Sequence, residues 1–524
     1  MGNLGPNFTD PSSPHAGEFQ PLDHEEFRRQ AHRVVDYIAD YYKSIEEYSV
    51  LSQVKPGYLL ASLPKTAPSE GQRFDEILGD VRRYIMPGLT HWVSPNFFGF
   101  FPATVSSAAF MGEMLCTAFN CVGFNWLASP AATELEMVVM DWLASMLKLP
   151  PSFMFSGMAS VPLFSFSFLW TGGGVLQGTT SEAIICTLVA ARDRAIEEIG
   201  PPDYHDYTSK LVVYGSDQTH STFKKACQLV GIRPSNIRLI PTTAKSNFAL
   251  SPLDLQKAIK ADVAAGLVPL YLCATMGTTS TTAIDPLEQL VHVVTEYNIW
   301  VHVDAAYAGS ACICPEFRHC LAGVERVDSL SLAPHKWLLS YLDCCCLWVK
   351  RPSLLVKSLS TNPEYLKNKL SESNSVVDYK DWQIGTGRRF RSLRLWLVLR
   401  SYGLENLQAH IRSDIGLARI FEDLVRSDSQ FEIVAPANFG LVCFRLKGSE
   451  SKRTEALNKE LLEQVNSTGR AYITHTIAGG VYMLRFAVGS TLTKEHHVVA
   501  AWKVIKERAE IVLTTEDRNQ IVNL

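Results

Sequence analysis

Two short runs hold the residues best suited to chemistry: His302-Val303-Asp304-Ala305-Ala306-Tyr307-Ala308-Gly309 and Pro334-His335-Lys336-Trp337. Each lies at the end of an apolar stretch that reads as a strand, Ile299 to Val303 and Ser329 to Leu332. Asp304 and Lys336 are therefore expected at the carboxyl edge of a sheet, where open α/β folds place their ligands. A carboxylate there can keep a pyridinium nitrogen protonated, and an amine nearby can condense with an aldehyde. Together they can grip opposite ends of a pyridine aldehyde, which predicts pyridoxal phosphate as cofactor. Ala305 and Ala306 are small enough to let a flat ring approach the backbone. Alone, an aspartate at a strand end is more often a turn residue and a lysine a surface charge. The inference rests on the pair and on the Trp337-Leu338-Leu339 run that would bury the lysine.

A third run, from Gly172 to Ala183, contains Gly172-Gly173-Gly174, Gly178-Thr179-Thr180 and Ser181-Glu182. Its glycines let the backbone come close, its hydroxyls donate, and a helix expected to start near Glu182 offers free N–H groups, the makings of a phosphate cup. His220, in Ser216-Asp217-Gln218-Thr219-His220-Ser221, reads by itself as a histidine at a helix start.

The elements that must position these residues follow from periodicity. Between about Met111 and Leu399 helical patterns alternate with short apolar strands at Lys210 to Tyr214, Leu267 to Cys273, Ile299 to Val303, Ser329 to Leu332 and Cys344 to Val349. That alternation predicts an α/β domain, a mostly parallel sheet with helices on both faces. Apolar residues at helical spacing from His24 to Tyr48, and again from Phe74 to Met86, predict an N-terminal helical segment whose apolar face needs a cover. After Arg400, a long amphipathic helix and strands at Phe431 to Ala435, Leu441 to Leu446 and Val481 to Ala487 predict a small C-terminal α+β domain. The expected units are a mobile tail (1–22), a helical dimerisation segment (23–107), a large cofactor-binding domain (108–399), a small domain (400–515) and a short tail (516–524).

Composition narrows the partners. With 47% hydrophobic and 19% charged residues and a net charge of -4, the 524-residue chain is expected to be compact and to avoid nucleic acid. The 12 cysteines are irregularly spaced, and the run Cys344-Cys345-Cys346 cannot close a metal site because adjacent strand residues face opposite ways. No metal, no disulfide framework and a cytoplasmic location are expected. Between Lys148 and Glu182 the chain carries no charge, but Pro162 and repeated serines make this stretch a poor membrane span, and no membrane partner is expected.

With these motifs in view, the chain resembles the group II pyridoxal phosphate decarboxylases, most closely the plant aromatic L-amino-acid decarboxylases of the tyrosine and tryptophan type. The likeness runs from about His24 to Lys506. It is carried also by His91 to Pro102, by Ser129-Pro130-Ala131-Ala132-Thr133-Glu134-Leu135-Glu136, by Asp381-Trp382-Gln383 and by Arg388-Arg389-Phe390. The resemblance implies an aspartate-aminotransferase-like fold, a homodimer and decarboxylation of an aromatic L-amino acid to an arylalkylamine. It makes Lys336, Tyr365, His220 and Asp304 catalytic. It puts Thr179, Thr180, His220, Thr275, Asp304, Ala306, His335 and Lys336 around the cofactor. Trp92, Phe98, Phe100, Pro102, Phe124 and Gly387 are expected around the substrate, with Gly387 tilting the choice towards tryptophan.

Tyr365 is then the proton donor on a flexible lid, and the polar stretch Lys367 to Val377 suits such a lid. Relatives with Phe at that position form aldehydes with oxygen, so an aldehyde synthase is the alternative reading. Two departures stand out: Ala333 replaces the usual Asn or Ser, and the 13 residues Met158 to Trp170 form an insert just before the phosphate cup. They motivate a third reading, a catalytically impaired paralogue.

Overall fold

A computed structural model describes residues 20–158, 172–199, 207–373, 375–448 and 450–522. The expected N-terminal tail up to residue 19 and nearly all of the insert lie outside the described residues. Among the described residues, eleven strands form two sheets. The large one is built from β1 (Gly173–Gln177), β2 (Leu211–Ser216), β3 (Ile237–Ile240), β4 (Val268–Thr275), β5 (Trp300–Asp304), β6 (Ser329–Leu332) and β7 (Cys345–Val349), in the order β1-β7-β6-β5-β4-β2-β3. Strands β2 to β6 pair in parallel, and β7 runs against both β6 and β1. The small sheet is antiparallel and uses β8 (Phe431–Ile433), β9 (Leu441–Leu446), β10 (Thr474–Ala478) and β11 (Val481–Ala487), in the order β10-β11-β9-β8.

The expected α/β class is the observed one, with shifts at strand ends. Strands β1, β3 and β10 are additions to the expected set. β1 escapes a pattern reading because it opens with Gly173-Gly174, and glycine is depleted in strands. Packing demands it there: a Cβ on Gly174 would fall 2.4 Å from Met140 Cε and 2.9 Å from Trp348 Cδ1. Apolar residues cover both faces of the large sheet, including Leu143, Leu272 and Val303 on one side and Val213, Phe223 and Trp300 on the other. All five residues of β5 are buried, as expected of a central parallel strand covered on both faces.

The N-terminal helix spans His24–Lys43, and Asp23 caps it by accepting the amides of Glu25 and Glu26. None of its residues is buried, and Phe27 and Val35 are exposed. The expected single helix from Phe74 to Met86 is three pieces: an α-helix Phe74–Asp80, a π turn Val81–Ile85 and a 3₁₀ turn Met86–Gly88, where Pro87 cannot continue the ladder. The helix Arg391–Arg426 crosses the boundary expected at residue 400 and breaks instead at Gly403 (φ 65°, ψ 175°). The last helix runs Glu495–Val522, through most of the segment expected as a tail. Every cysteine is free and eleven are buried, in keeping with their use as small core residues. No helix among the described residues is long and apolar enough to cross a membrane.

Candidate active site

The parallel strands end in a row. Register places Thr275 of β4 beside Asp304 of β5, and Asp304 beside Ser331 of β6. Just past β6 the chain turns into the short helix Pro334–Trp337, which carries Lys336. This turn is held by the Ala333 amide donating to Ala306 O (3.1 Å) and by the Thr104 amide donating to His335 O (2.9 Å). From the far side come the end of β1 and the start of the helix Thr180–Ile199. That helix begins two residues earlier than the sequence suggests, so the hydroxyls of Thr180 and Ser181 sit in its first turn. The Gly178 amide is taken by Glu182 Oε2 (2.9 Å), so the cup's donors are the threonine and serine hydroxyls and the amides at the helix start.

These ends enclose a cavity of 230 Å³. Thr179, Thr180, His220, Thr275, Asp304, Ala306, His335 and Lys336, the residues expected around a cofactor, all line it, together with Ser181 and Phe101. Burial holds the Lys336 ammonium below its usual pKa, with the Asp304 charge opposing that shift. His220 is also lowered, mainly by burial, and its Nδ1 accepts the Thr222 amide (3.3 Å), so the neutral ring carries its proton on Nε2. His335 is pushed down to about 4 by burial, and its Nδ1 lies 2.7 Å from Cys344 O. The Asp304 carboxylate accepts the Ala306 amide (3.1 Å).

The donor set suits pyridoxal phosphate. Hydroxyls and a helix start at one end match a phosphate, a carboxylate at the other matches a protonated ring nitrogen, and an amine stands where an aldehyde would be. Thr275 supports the fit independently, because it lines this cavity and its buried hydroxyl has no hydrogen-bond partner among the described residues. A polar group left so costs stability unless something completes it. Behind it, Asp285 accepts the amides of Thr275 (2.8 Å) and Leu250 (2.7 Å) and fixes the end of β4, its carboxyl pushed up to about 6 by burial.

Other expected site residues stand apart. Tyr365, on the 3₁₀ turn Glu364–Leu366, is 83% exposed and does not line the cavity. Phe98 is fully buried and stacks on Phe486 (4.0 Å between centroids) in the core of the small sheet, so in this chain it packs rather than lines the cavity. Trp92 and Phe100 stack on each other at 5.3 Å and are both exposed. Pro102 packs on Gly489, where a Cβ would come within 2.4 Å of its Cγ. Phe124 is half-buried, and Gly387 is exposed with open space around it.

The structure adds residues that spacing alone does not single out. Phe101 stacks on Tyr307 (3.7 Å), Tyr307 stacks on Trp337 (4.7 Å), and Lys336 Nζ lies 6.0 Å from the Phe101 centroid. Arg485 of β11 is buried, sits 5.3 Å from the same ring and donates to Ser280 O, Thr474 Oγ1 and Phe100 O. No carboxylate among the described residues pairs with it, and burial lowers its pKa from the usual arginine value. Its signal in the sequence is a lone charge in the apolar run Val481 to Val488.

Comparison with known proteins agrees with this geometry. Residues 56–447 match the model of the pyridoxal-dependent decarboxylase conserved domain. The chain is 68% identical to a tryptophan decarboxylase of Camptotheca acuminata, over 98% of this chain and 100% of that one. It superposes on the crystal structure of Catharanthus roseus tryptophan decarboxylase in complex with L-tryptophan with a TM-score of 0.88 and 63% identity, covering 94% of this chain and 100% of that one. For Oryza sativa TDC with PLP and tryptamine the TM-score is 0.90 and the identity 53%, with 94% and 99% covered. The lysine, the aspartate and the hydroxyl-lined cup thus stand within the matched residues 56–447, and the chain belongs to the pyridoxal-dependent decarboxylase family.

Proposed function

We propose that this chain removes the α-carboxylate of an aromatic L-amino acid, tryptophan foremost, to give the arylalkylamine and carbon dioxide. The observation that carries this reading is the 230 Å³ cavity lined by Lys336, Asp304, Thr275, His220 and the hydroxyl cup. Bound pyridoxal phosphate would supply an electron sink for the pair left by the departing carboxylate. Thr179, Thr180, Ser181 and His335 would hold the phosphate, Asp304 the ring nitrogen and the Thr275 hydroxyl the ring edge. His220 and Ala306 would close the two faces of the ring. Lys336, whose burial favours the neutral amine, is suited to act as a nucleophile and to give way to the substrate amine.

Tyr365 would return a proton to the substrate carbon, which requires its segment to swing from the exposed position towards Lys336. The preference for tryptophan is supported by the similarity to tryptophan decarboxylases and by the open space at Gly387. A homodimer is supported by apolar side chains left uncovered on two helices, Phe27 and Val35 on His24–Lys43 and Met111, Leu115 and Phe119 on Ser107–Phe119. Such a dimer would work in the cytoplasm, where the buried free thiols stay reduced.

The test is to incubate the chain and pyridoxal phosphate with L-tryptophan, L-tyrosine, L-phenylalanine and L-DOPA, and to assay amine, aldehyde and peroxide together. Amine without peroxide supports the proposal and ranks the substrates. Aldehyde matched by peroxide would make the chain an aldehyde synthase, and a cofactor-loaded dimer giving no product would make it an impaired paralogue.

A further inference from the structure

The segment that carries Tyr365 is moored at two points, and both moorings lead to one piece of chain. Lys380 donates from Nζ to Thr361 O (3.2 Å) while its ammonium pairs with Asp381 (2.6 Å) in a nearly buried contact. Its amide donates to Phe124 O (2.8 Å). Two residues earlier, Asp378 accepts the Trp126 amide on Oδ1 (3.0 Å) and the Ser371 hydroxyl on Oδ2. Ser371 sits in the short helix Lys369–Glu372, where Asn368 Nδ2 donates to its Oγ (2.8 Å) and Asn368 Oδ1 accepts its amide (3.0 Å). The hydrogen-bond direction is therefore set: Asn368 donates to Ser371, and Ser371 donates to Asp378. Between the moorings, Asn362, Leu366 and Lys367 overhang a cavity of 570 Å³ that is also lined by Asp378, Lys380 and Asp381.

We infer that Asp378 is a positioning residue: with Ser371 it forms the downstream hinge post from which Tyr365 swings to the cofactor cavity. The inference rests on the proposed proton-donor role of Tyr365. Four residues of extended chain reach about 14 Å, so a fixed Thr361 confines Tyr365 to a short arc, and a fixed Ser371 limits it from the other side. Releasing one post lengthens the free loop and dilutes the hydroxyl at the reacting carbon. Asp378 touches neither substrate nor cofactor, so its loss should alter proton delivery while leaving cofactor binding intact. Because it also grips Trp126, it ties the hinge to the aromatic segment from Phe124 to Trp126.

The experiment compares S371A, S371T, D378N and Y365F as holoenzymes with L-tryptophan. It measures kcat, KM, the amine-to-aldehyde ratio, pyridoxal phosphate affinity and tryptic cleavage at Lys367 and Lys369. S371A should lower kcat for amine about 5-fold, a loss of effective concentration, with KM and cofactor affinity unchanged. It should also raise the aldehyde fraction and the cleavage rate. D378N keeps an acceptor for the Trp126 amide and offers Ser371 a donor in place of an acceptor, so it should fall between S371A and wild type, while S371T should behave as wild type. If Y365F diverts the product while S371A and D378N match wild type in ratio and cleavage, the hinge assignment is wrong. If Y365F leaves amine formation intact, the proton-donor reading itself fails. Faster cleavage in S371A with an unchanged product ratio would make Asp378 a structural tie only and overturn the inference.

Discussion

The Glu136–Arg388 pair ties the end of β1 to the rest of the domain, and breaking it should be costly in a way that can be worked out. Glu136 lies on the helix Pro130–Leu147, and its carboxylate accepts two contacts from Arg388 Nη2 (2.6 and 2.7 Å) and the Leu176 amide (2.7 Å). Both side chains are buried, at 4% and 2% exposure, so water cannot replace a lost partner. Arg388→Met would leave the carboxylate with one amide, and removing one partner of a buried pair costs about 3–5 kcal/mol. The double variant E136Q/R388M carries no stranded charge and should lie within about 2 kcal/mol of wild type, because buried pairs are often nearly neutral relative to uncharged replacements. Burial already raises the Glu136 carboxyl pKa with arginine present, and removal of Arg388 should raise it further. The group then binds a proton more tightly folded than unfolded. R388M should therefore lose stability as pH rises from about 5, above the unfolded carboxylate value, until it passes the raised folded value. Urea unfolding at several pH values measures this, and loss of bound pyridoxal phosphate tracks the effect through Leu176 to Thr179. A single variant costing under about 1 kcal/mol, or a double variant as unstable as the single, would refute the assignment of this pair as a buried ion pair whose members depend on each other.

Three further expectations follow from the site. Thr275→Val removes a buried hydroxyl that has no partner among the described residues, so apo stability should hold or rise while cofactor affinity falls about 10-fold, measurable by equilibrium dialysis. Tyr365→Phe should shift the product from amine towards aldehyde and peroxide with little change in cofactor affinity, read in a coupled peroxide assay. Excision of Met158 to Trp170 should preserve folding, because Gly157 and Gly172 press on the same turn, with added Cβ atoms falling 2.1 Å from Pro151 O and Ser152 O respectively. A thermal midpoint within about 4 °C of the parent, the range of a kcal/mol-scale change, is expected by calorimetry.

Much of this site is legible in the sequence. Asp304 and Lys336 follow buried strands whose apolar runs are unbroken, and a strand end fixes where the next side chain goes. Thr275 and His220 are singled out only by the family resemblance, since nothing in a threonine after a strand marks it as a cavity-lining residue instead of a cap. β1 is hidden because its glycines answer to Met140 and Trp348, which are distant in sequence. The aromatic segment from His91 to Pro102 reads as substrate wall, but its members divide: Phe101 joins the stack with Tyr307, Phe98 enters the small-sheet core, and Trp92 and Phe100 face outward. An aromatic residue carries no mark of which apolar environment it will enter. Arg485 and Asp378 act through backbone carbonyls, amides and hydroxyls brought close only by tertiary folding, so no spacing rule reaches them.

The central claim is that Lys336 and its cavity carry the decarboxylation of an aromatic amino acid. Carboxyl-labelled L-tryptophan supplied to the wild-type holoenzyme and to K336A tests it most directly, with labelled carbon dioxide and tryptamine counted together. Equal amounts of the two from wild type and neither from K336A are predicted. Carbon dioxide released by K336A at the wild-type rate, or tryptophan consumed by wild type without tryptamine, would contradict the account.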